Sequence, residues 1–230
     1  MQAVYTLYIG NKNYSSWSLR AWVLLKAFDV PFREERITLY EPGSPERIRA
    51  RSPSGRLPCL HDGATVVWDS LSIAEYLAER HAGMWPGDSR SRAWARSAAA
   101  EMHSGYSDLR NEFGMNLRVK EARKASPAVA ADIARITGLW REGRERYGDG
   151  GEYLCGGFGI VDAFYCPVAF RFASYGVDLD PVAGAYQQAL LALPAMREWA
   201  ADAARETERI PRLDQPAADA TAAMHGSPRG

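Results

Sequence analysis

Three hydroxyls fall within six residues, Ser15-Ser16-Trp17-Ser18-Leu19-Arg20, after a short apolar segment, Val4 to Ile9, and a polar turn, Gly10 to Tyr14. The pattern predicts a strand that runs into the first turn of a helix. A helix N-terminus offers unpaired backbone N–H groups and a partial positive charge, and serine hydroxyls add further donors, so the site suits an anion such as a thiolate. Two later segments share that character. Asp69-Ser70 follows a strand pattern and opens another helix, while Arg56, ahead of Leu57-Pro58, could reach a carboxylate.

The elements that must position these groups alternate over the first eighty residues. Val4 to Ile9 is expected as a strand and Ser16 to Phe28 as a helix, with Leu19, Trp22 and Val23 on its apolar stripe. Phe32 to Leu39 alternates as a second strand. Ser44 to Arg51 reads as a short helix with Ser44 at its N-cap and Pro45 at its first position. Cys59 to His61 and Thr65 to Trp68 flank Asp62-Gly63-Ala64, whose Asp-Gly step signals a hairpin. From Ser70 onward Leu71, Ile73, Ala74, Leu77 and Ala78 form the apolar face of a third helix. The order is β-α-β-α-β-β-α.

Trp85-Pro86-Gly87 breaks helical periodicity, and composition changes beyond it. Ser91 to Lys120, Pro127 to Tyr147, Ile160 to Tyr175, Pro181 to Leu193 and Pro194 to Arg205 all read as helical. The expected organisation is an α/β domain at 1–82, a linker at 83–90, an all-helical domain at 91–211 and a flexible tail at 212–230.

Charge and composition exclude several function classes. The 230 residues carry 28 basic and 28 acidic side chains, so no net field draws the chain to nucleic acid or anionic lipid. No apolar run reaches the roughly 20 residues of a membrane-spanning helix, and Met1 to Ile9 lacks a signal peptide's basic start. Cys59, Cys155 and Cys166 are odd in number without C-x-x-C spacing and read as reduced thiols, which places the protein in the cytoplasm. His61, His81, His103 and His225 form no metal-ligand pattern, so no metal is expected.

Hydroxyls opening the first helix, an X-Pro before the third strand, an acidic-Ser pair opening the third helix and a helical domain behind them resemble the cytosolic glutathione S-transferases. The likeness covers nearly the whole chain to about Pro211. Ser15-Ser16-Trp17-Ser18-Leu19-Arg20 is similar to the serine motif of the zeta-like and related bacterial classes, except that Trp17 stands where Cys is frequent. The resemblance implies an α/β thioredoxin-like N-terminal domain with a mixed sheet, an all-α C-terminal domain and a homodimer. It implies glutathione as co-substrate and a small electrophile as its acceptor. Within it Ser15, or Ser16 beside it, orients and ionises the glutathione thiol. A cis Leu57-Pro58 bond lets the Leu57 backbone pair with the peptide, Arg56 reaches a carboxylate, and Asp69 and Ser70 hold the γ-glutamyl end.

A free thiol of pKa ~8.5 is only a few per cent ionised at neutral pH, so a transferase gains from stabilising the thiolate. One hydrogen bond to the charged sulfur contributes ~1.5–3 kcal/mol, which corresponds to roughly 1–2 pKa units. The expected activity is glutathione transfer to an electrophile. A glutathione-dependent isomerase or dehalogenase is the alternative within the enzymes, and a non-catalytic binding or assembly module the alternative outside them. Trp17 weighs against zeta-type isomerisation. His103, Tyr106 and Arg110, spaced three and four apart, are expected to share one helix face and to line the second-substrate pocket with Trp17. Gly159-Ile160-Val161-Asp162 replaces the family's Ser/Thr-x-x-Asp box, with Gly159 as a tolerated cap and Asp162 bonding back to it.

Overall fold

The computed structural model describes residues 5–214, apart from the Arg212 side chain. Its N-terminal part runs β1 (Tyr5–Ile9), α1 (Ser16–Ala27), β2 (Phe32–Arg36), α2 (Ser44–Arg49), β3 (Cys59–Asp62), β4 (Thr65–Trp68) and α3 (Ser70–Ala78). The sheet order is β2-β1-β3-β4, with β1 parallel to β2 and the other two pairings antiparallel. A parallel β1–β2 pair needs a crossover, and α1 supplies it. Asp62 pairs with Thr65 across a two-residue turn in which Gly63 takes φ 57°, as the Asp-Gly step requires.

The helical part comprises α4 (Ser89–Ser104), α5 (Ser107–Glu112), α6 (Pro127–Tyr147), α7 (Ile160–Tyr175), α8 (Pro181–Ala192), α9 (Pro194–Arg205) and α10 (Pro211–Asp214). Helices α1 and α7 pack together, and the buried residues form one cluster spanning both parts, from Leu7, Trp22 and Leu60 to Trp140, Tyr165 and Trp199. Burying such side chains, each worth about 1.5–3 kcal/mol or more, joins the two parts into one body.

Several expected boundaries shift for local reasons. Strand β2 ends at Arg36 rather than Leu39 because its partner ends at Ile9, after which Leu39 N–H donates to the Asn11 side chain at 2.8 Å. A Cβ at Gly10 would meet the Leu39 side chain at 2.8 Å, so glycine admits that close approach. Ser44 does not cap α2. Gly43 holds the N-cap position at φ 79°, and the Ser44 hydroxyl donates to the Thr38 carbonyl from inside the first turn. The stretch Ser91 to Lys120 is not one helix, because α4 stops at Ser104, Gly105 is extended and Tyr106 sits at φ 60° before α5 starts. Residues 212–214 of the expected tail are helical, with the Tyr14 hydroxyl donating to Asp214 at 2.8 Å. Residues 215–230 lie outside the described residues.

At α7 the Gly159 N–H donates to the Asp162 carboxylate at 2.9 Å, as the capping-box reading expects. Glycine is more than tolerated there, since a Cβ would lie 2.9 Å from the Met84 carbonyl oxygen.

Among the described residues, no helix is long and apolar enough to cross a membrane, and no group of three or more His, Cys, Asp or Glu side chains could hold a metal ion.

Candidate functional site

The turn between β1 and α1 is fixed by the helical part. Lys12 is buried between the Trp22 and Trp199 rings, its ammonium 4.6 and 5.3 Å from their centroids, and pairs with Glu34 at 2.8 Å and Asp202 at 2.5 Å. The Glu206 carboxylate accepts from the Lys12 and Asn13 backbone N–H groups, and Asn13 donates to Asn116. These bonds hold the chain entering Ser15, and none was legible in the local sequence.

Ser15 occupies the N-cap of α1 without making a side-chain capping bond. Its hydroxyl donates instead to the Ser18 hydroxyl at 2.7 Å, and the Ser18 oxygen also accepts from the Gly10 N–H at 3.1 Å. The Ser16 hydroxyl accepts from the Arg171 guanidinium of α7 at 3.2 Å. Both serines are nearly buried, at 7% and 6% exposure.

A cleft of about 450 Å³ opens beside them. It is lined by Trp17, Ser54, Arg56, Leu57, Pro58, Trp68, Asp69 and Ser70. Five expected glutathione-site residues, Arg56, Leu57, Pro58, Asp69 and Ser70, thus come together, and Leu57-Pro58 is cis. Ser15 and Ser16 adjoin the cleft through Trp17 but do not line it. Ser54 and Trp68 were missed by sequence reasoning. The Ser-Gly step after Pro53 and the position of Trp68 at the end of β4 are the available signals.

At the start of α3 the Asp69 carboxylate caps the helix by accepting from the Leu71 N–H at 2.8 Å. Asp69 takes φ 73° and ψ 134°, a sparsely populated conformation for a residue with a Cβ, which costs about 1–3 kcal/mol and is characteristic of functional sites. The Ser70 hydroxyl is buried without a hydrogen-bond partner, although its residue lines the cleft. An unpaired buried hydroxyl costs about 1–3 kcal/mol, and a ligand acceptor would relieve it.

His103, Tyr106 and Arg110 do not share a helix face. The break at Gly105 leaves His103 in the last turn of α4, Tyr106 before α5 and Arg110 within α5. The Tyr106 hydroxyl donates to Glu101 at 2.6 Å, and burial followed by this carboxylate pushes its pKa up. Arg110 donates to the Met102, Gly105 and His103 carbonyls, which satisfies the exposed carbonyl end of α4. His103 and Arg110 still meet at Trp17. The His103 ring lies edge-on at 5.2 Å and the Arg110 guanidinium 4.8 Å above the indole. His103 Nε2 also lies 3.3 Å from the Asp69 carboxylate. Burial first, with Arg20 and Arg110 adding to it, holds the His103 pKa below its usual value despite the nearby Asp69 carboxylate.

Beneath Trp17 the site is strongly cationic. Arg20 is 1% exposed, its guanidinium 4.4 Å from the Trp17 ring and 4.7 Å from Phe164, and its Nε and Nη1 have no partner. Burial, then the charges of Arg110 and Arg171, push the Arg20 pKa down, and burial and Arg110 bring Arg171 to about 9. All three stay protonated at neutral pH, since a guanidinium keeps its proton throughout this range. The three cysteines are free, with Cys59 and Cys166 buried.

The family model for the N-terminal domain of glutathione S-transferases matches residues 14–80. A probable maleylacetoacetate isomerase from Caenorhabditis elegans is 25% identical over 182 residues, 76% of this chain and 82% of the relative. A glutathione transferase homologue from Burkholderia, solved with bound glutathione, superposes with a TM-score of 0.67 at 22% identity, covering 88% of this chain and all of that one. A bacterial zeta-class maleyl pyruvate isomerase gives a TM-score of 0.67 at 22% identity, covering 89% of this chain and all of its own. Residues 14–80, which run from the turn before α1 through α3 and carry the cleft, match the N-terminal domain of glutathione S-transferases, and the arrangement of sheet and helices is that of the solved glutathione transferases.

Proposed function

We propose that the cleft binds glutathione and that the protein transfers its sulfur to a small electrophile. The observation that carries the reading is the buried Ser70 hydroxyl, unpartnered at the cleft beside the Asp69 carboxylate and the start of α3. The γ-glutamyl end of glutathione is a zwitterion. Its carboxylate suits the Ser70 hydroxyl and the α3 N-terminus, and its ammonium suits Asp69. Leu57 lies two residues ahead of β3, where an extended peptide would continue the sheet edge. Arg56, exposed at the rim, suits a further carboxylate.

The sulfur then falls toward the start of α1. Ser15 adds no side-chain cap there, so that helix end keeps its capacity for an anion, and a neighbouring serine hydroxyl supplies a donor. The thiol releases its proton to solvent, the thiolate attacks the electrophilic carbon, a C–S bond forms and the leaving group departs with the bonding electrons. The second substrate would rest against Trp17, with His103 and Arg110 behind the indole. Tyr106, turned to Glu101, takes no part.

A glutathione-dependent isomerase, in which the thiolate adds and is later expelled, is the second reading, favoured by the 25% identity to the isomerase from Caenorhabditis elegans. Trp17 in place of the frequent Cys weighs against its zeta form. The family resemblance also carries a cytoplasmic homodimer, for which light scattering should give about twice the 25.4 kDa of one chain.

Turnover of aryl halides, organic hydroperoxides and maleyl acids with glutathione tests the reading. Conjugation of an aryl halide supports transfer. Isomerisation of a maleyl acid without net glutathione consumption supports the second reading, and no turnover in any class overturns both.

A further inference from the structure

Ser15 and Ser16 are adjacent hydroxyls at the start of α1, and their hydrogen bonds differ in direction. A serine hydroxyl has one hydrogen to donate and two lone pairs to accept with. Ser15 spends its hydrogen on the Ser18 oxygen at 2.7 Å. That oxygen also accepts the Gly10 N–H at 3.1 Å, so the Ser15 bond belongs to a network tying α1 to the residue after β1.

Ser16 is arranged the other way. Its oxygen accepts from Arg171 Nη2 at 3.2 Å, and a guanidinium only donates. Among the described residues, no hydrogen-bond acceptor is paired with the Ser16 hydrogen. Arg171 is itself fixed, since its Nη1 donates to the Phe113 carbonyl and its side chain is 5% exposed. A charged donor on the hydroxyl oxygen draws electron density from the O–H bond and strengthens it as a donor.

We infer that Ser16, not Ser15, donates to the glutathione sulfur, and that Arg171 of α7 is the positioning residue that keeps the Ser16 hydrogen free and directed away from the helical part. The inference rests on the reading of the cleft as a glutathione site. It makes the helical part a participant in sulfur activation without touching the sulfur. The charged and titratable groups facing Arg171 are Arg20, Arg110 and Tyr175, and the guanidiniums stay charged and the phenol neutral through neutral pH.

The test is titration of the thiolate absorbance of the glutathione complex in wild type, Ser15→Ala, Ser16→Ala, Arg171→Lys and Arg171→Met, with glutathione affinity measured alongside. Ser16→Ala is expected to lower the thiolate fraction at neutral pH by about tenfold, the effect of losing one hydrogen bond to a charged atom, while Ser15→Ala changes it less than twofold. Arg171→Met should shift the titration in the same direction as Ser16→Ala, while glutathione affinity at acid pH, where the bound thiol is protonated, changes less than twofold. Arg171→Lys should restore part of the shift, because a lysine still donates. A purely structural Arg171 would weaken affinity and leave the titration unmoved. The inference is overturned if Ser15→Ala produces the larger shift, or if a folded Arg171→Met titrates as wild type. Should Arg171→Met not fold, the comparison of the two serine variants decides. A wild-type complex without a thiolate band overturns the reading of the site and this inference with it, whereas a band insensitive to Ser16→Ala overturns the inference alone.

Discussion

The Asp69 carboxylate has two duties that sit on different oxygens: Oδ1 caps α3 through the Leu71 N–H at 2.8 Å, and Oδ2 meets His103 Nε2 of α4 at 3.3 Å. One side chain therefore starts a helix of the α/β part, touches the helical part and faces the cleft. Asp69→Asn separates these duties. Asparagine also caps helices and tolerates positive φ, so denaturant unfolding should change by no more than about 0.5 kcal/mol. The charge offered to a ligand ammonium is lost, and glutathione affinity should fall about tenfold or more, read by calorimetry. Equal losses of stability and affinity would mean that Asp69 acts only as a cap.

Gly159 gives an outcome opposite to simple capping preference. Serine is ordinarily the better N-cap, yet a Cβ at this position would lie 2.9 Å from the Met84 carbonyl oxygen. Moving that backbone also disturbs the Ile160 N–H bond to the same oxygen at 2.9 Å. Gly159→Ser should destabilise the protein by roughly 1–3 kcal/mol, seen as a lower urea midpoint at unchanged slope.

Asp162 gives a pH dependence with a defined sign. It is fully buried, and desolvation raises its pKa from 3.8 to about 6, against the opposing pull of the Leu154 and Gly159 N–H groups and the Tyr186 hydroxyl. A raised carboxyl means that the folded state holds its proton longer than the unfolded one. Its contribution is complete below about pH 4 and is lost as the pH rises through about 6. The shift corresponds to about 3 kcal/mol. The stability of wild type minus that of Asp162→Asn, which does not titrate, should therefore fall by about that amount between pH 4 and pH 7. A difference that rises over this range would show a depressed pKa instead.

Local sequence carried the elements well where their signals are local. Pro127–Tyr147, Ile160–Tyr175 and Pro194–Arg205 begin and end where Pro, Gly and apolar spacing place them. The cleft was legible for a related reason. Its residues lie at ends of strands and starts of helices, where Leu57-Pro58 and Asp69-Ser70 leave distinct marks. What escaped depends on distant partners. Nothing near Ser44 reveals the Thr38 carbonyl, and nothing near Arg110 reveals that Gly105 breaks α4 and hands its carbonyls to the guanidinium. Likewise the bond from Arg171 to Ser16 spans 155 residues, and Lys12 finds Asp202 across 190. Spacing rules describe one helix face at a time, and these contacts join faces brought together only by the packing of α1 on α7 and α9.

Glutathione binding to wild type and Ser70→Ala, measured side by side by titration calorimetry, tests the reading of the cleft most directly. The hydroxyl is buried and unpartnered in the unliganded protein, so its removal should leave folding stability unchanged or slightly raised. A hydrogen bond to a ligand carboxylate is worth about 1.5–3 kcal/mol, so the dissociation constant should rise about tenfold to a hundredfold. Equal affinity in the two proteins, or no heat of binding in either, would contradict the assignment of this cleft to glutathione.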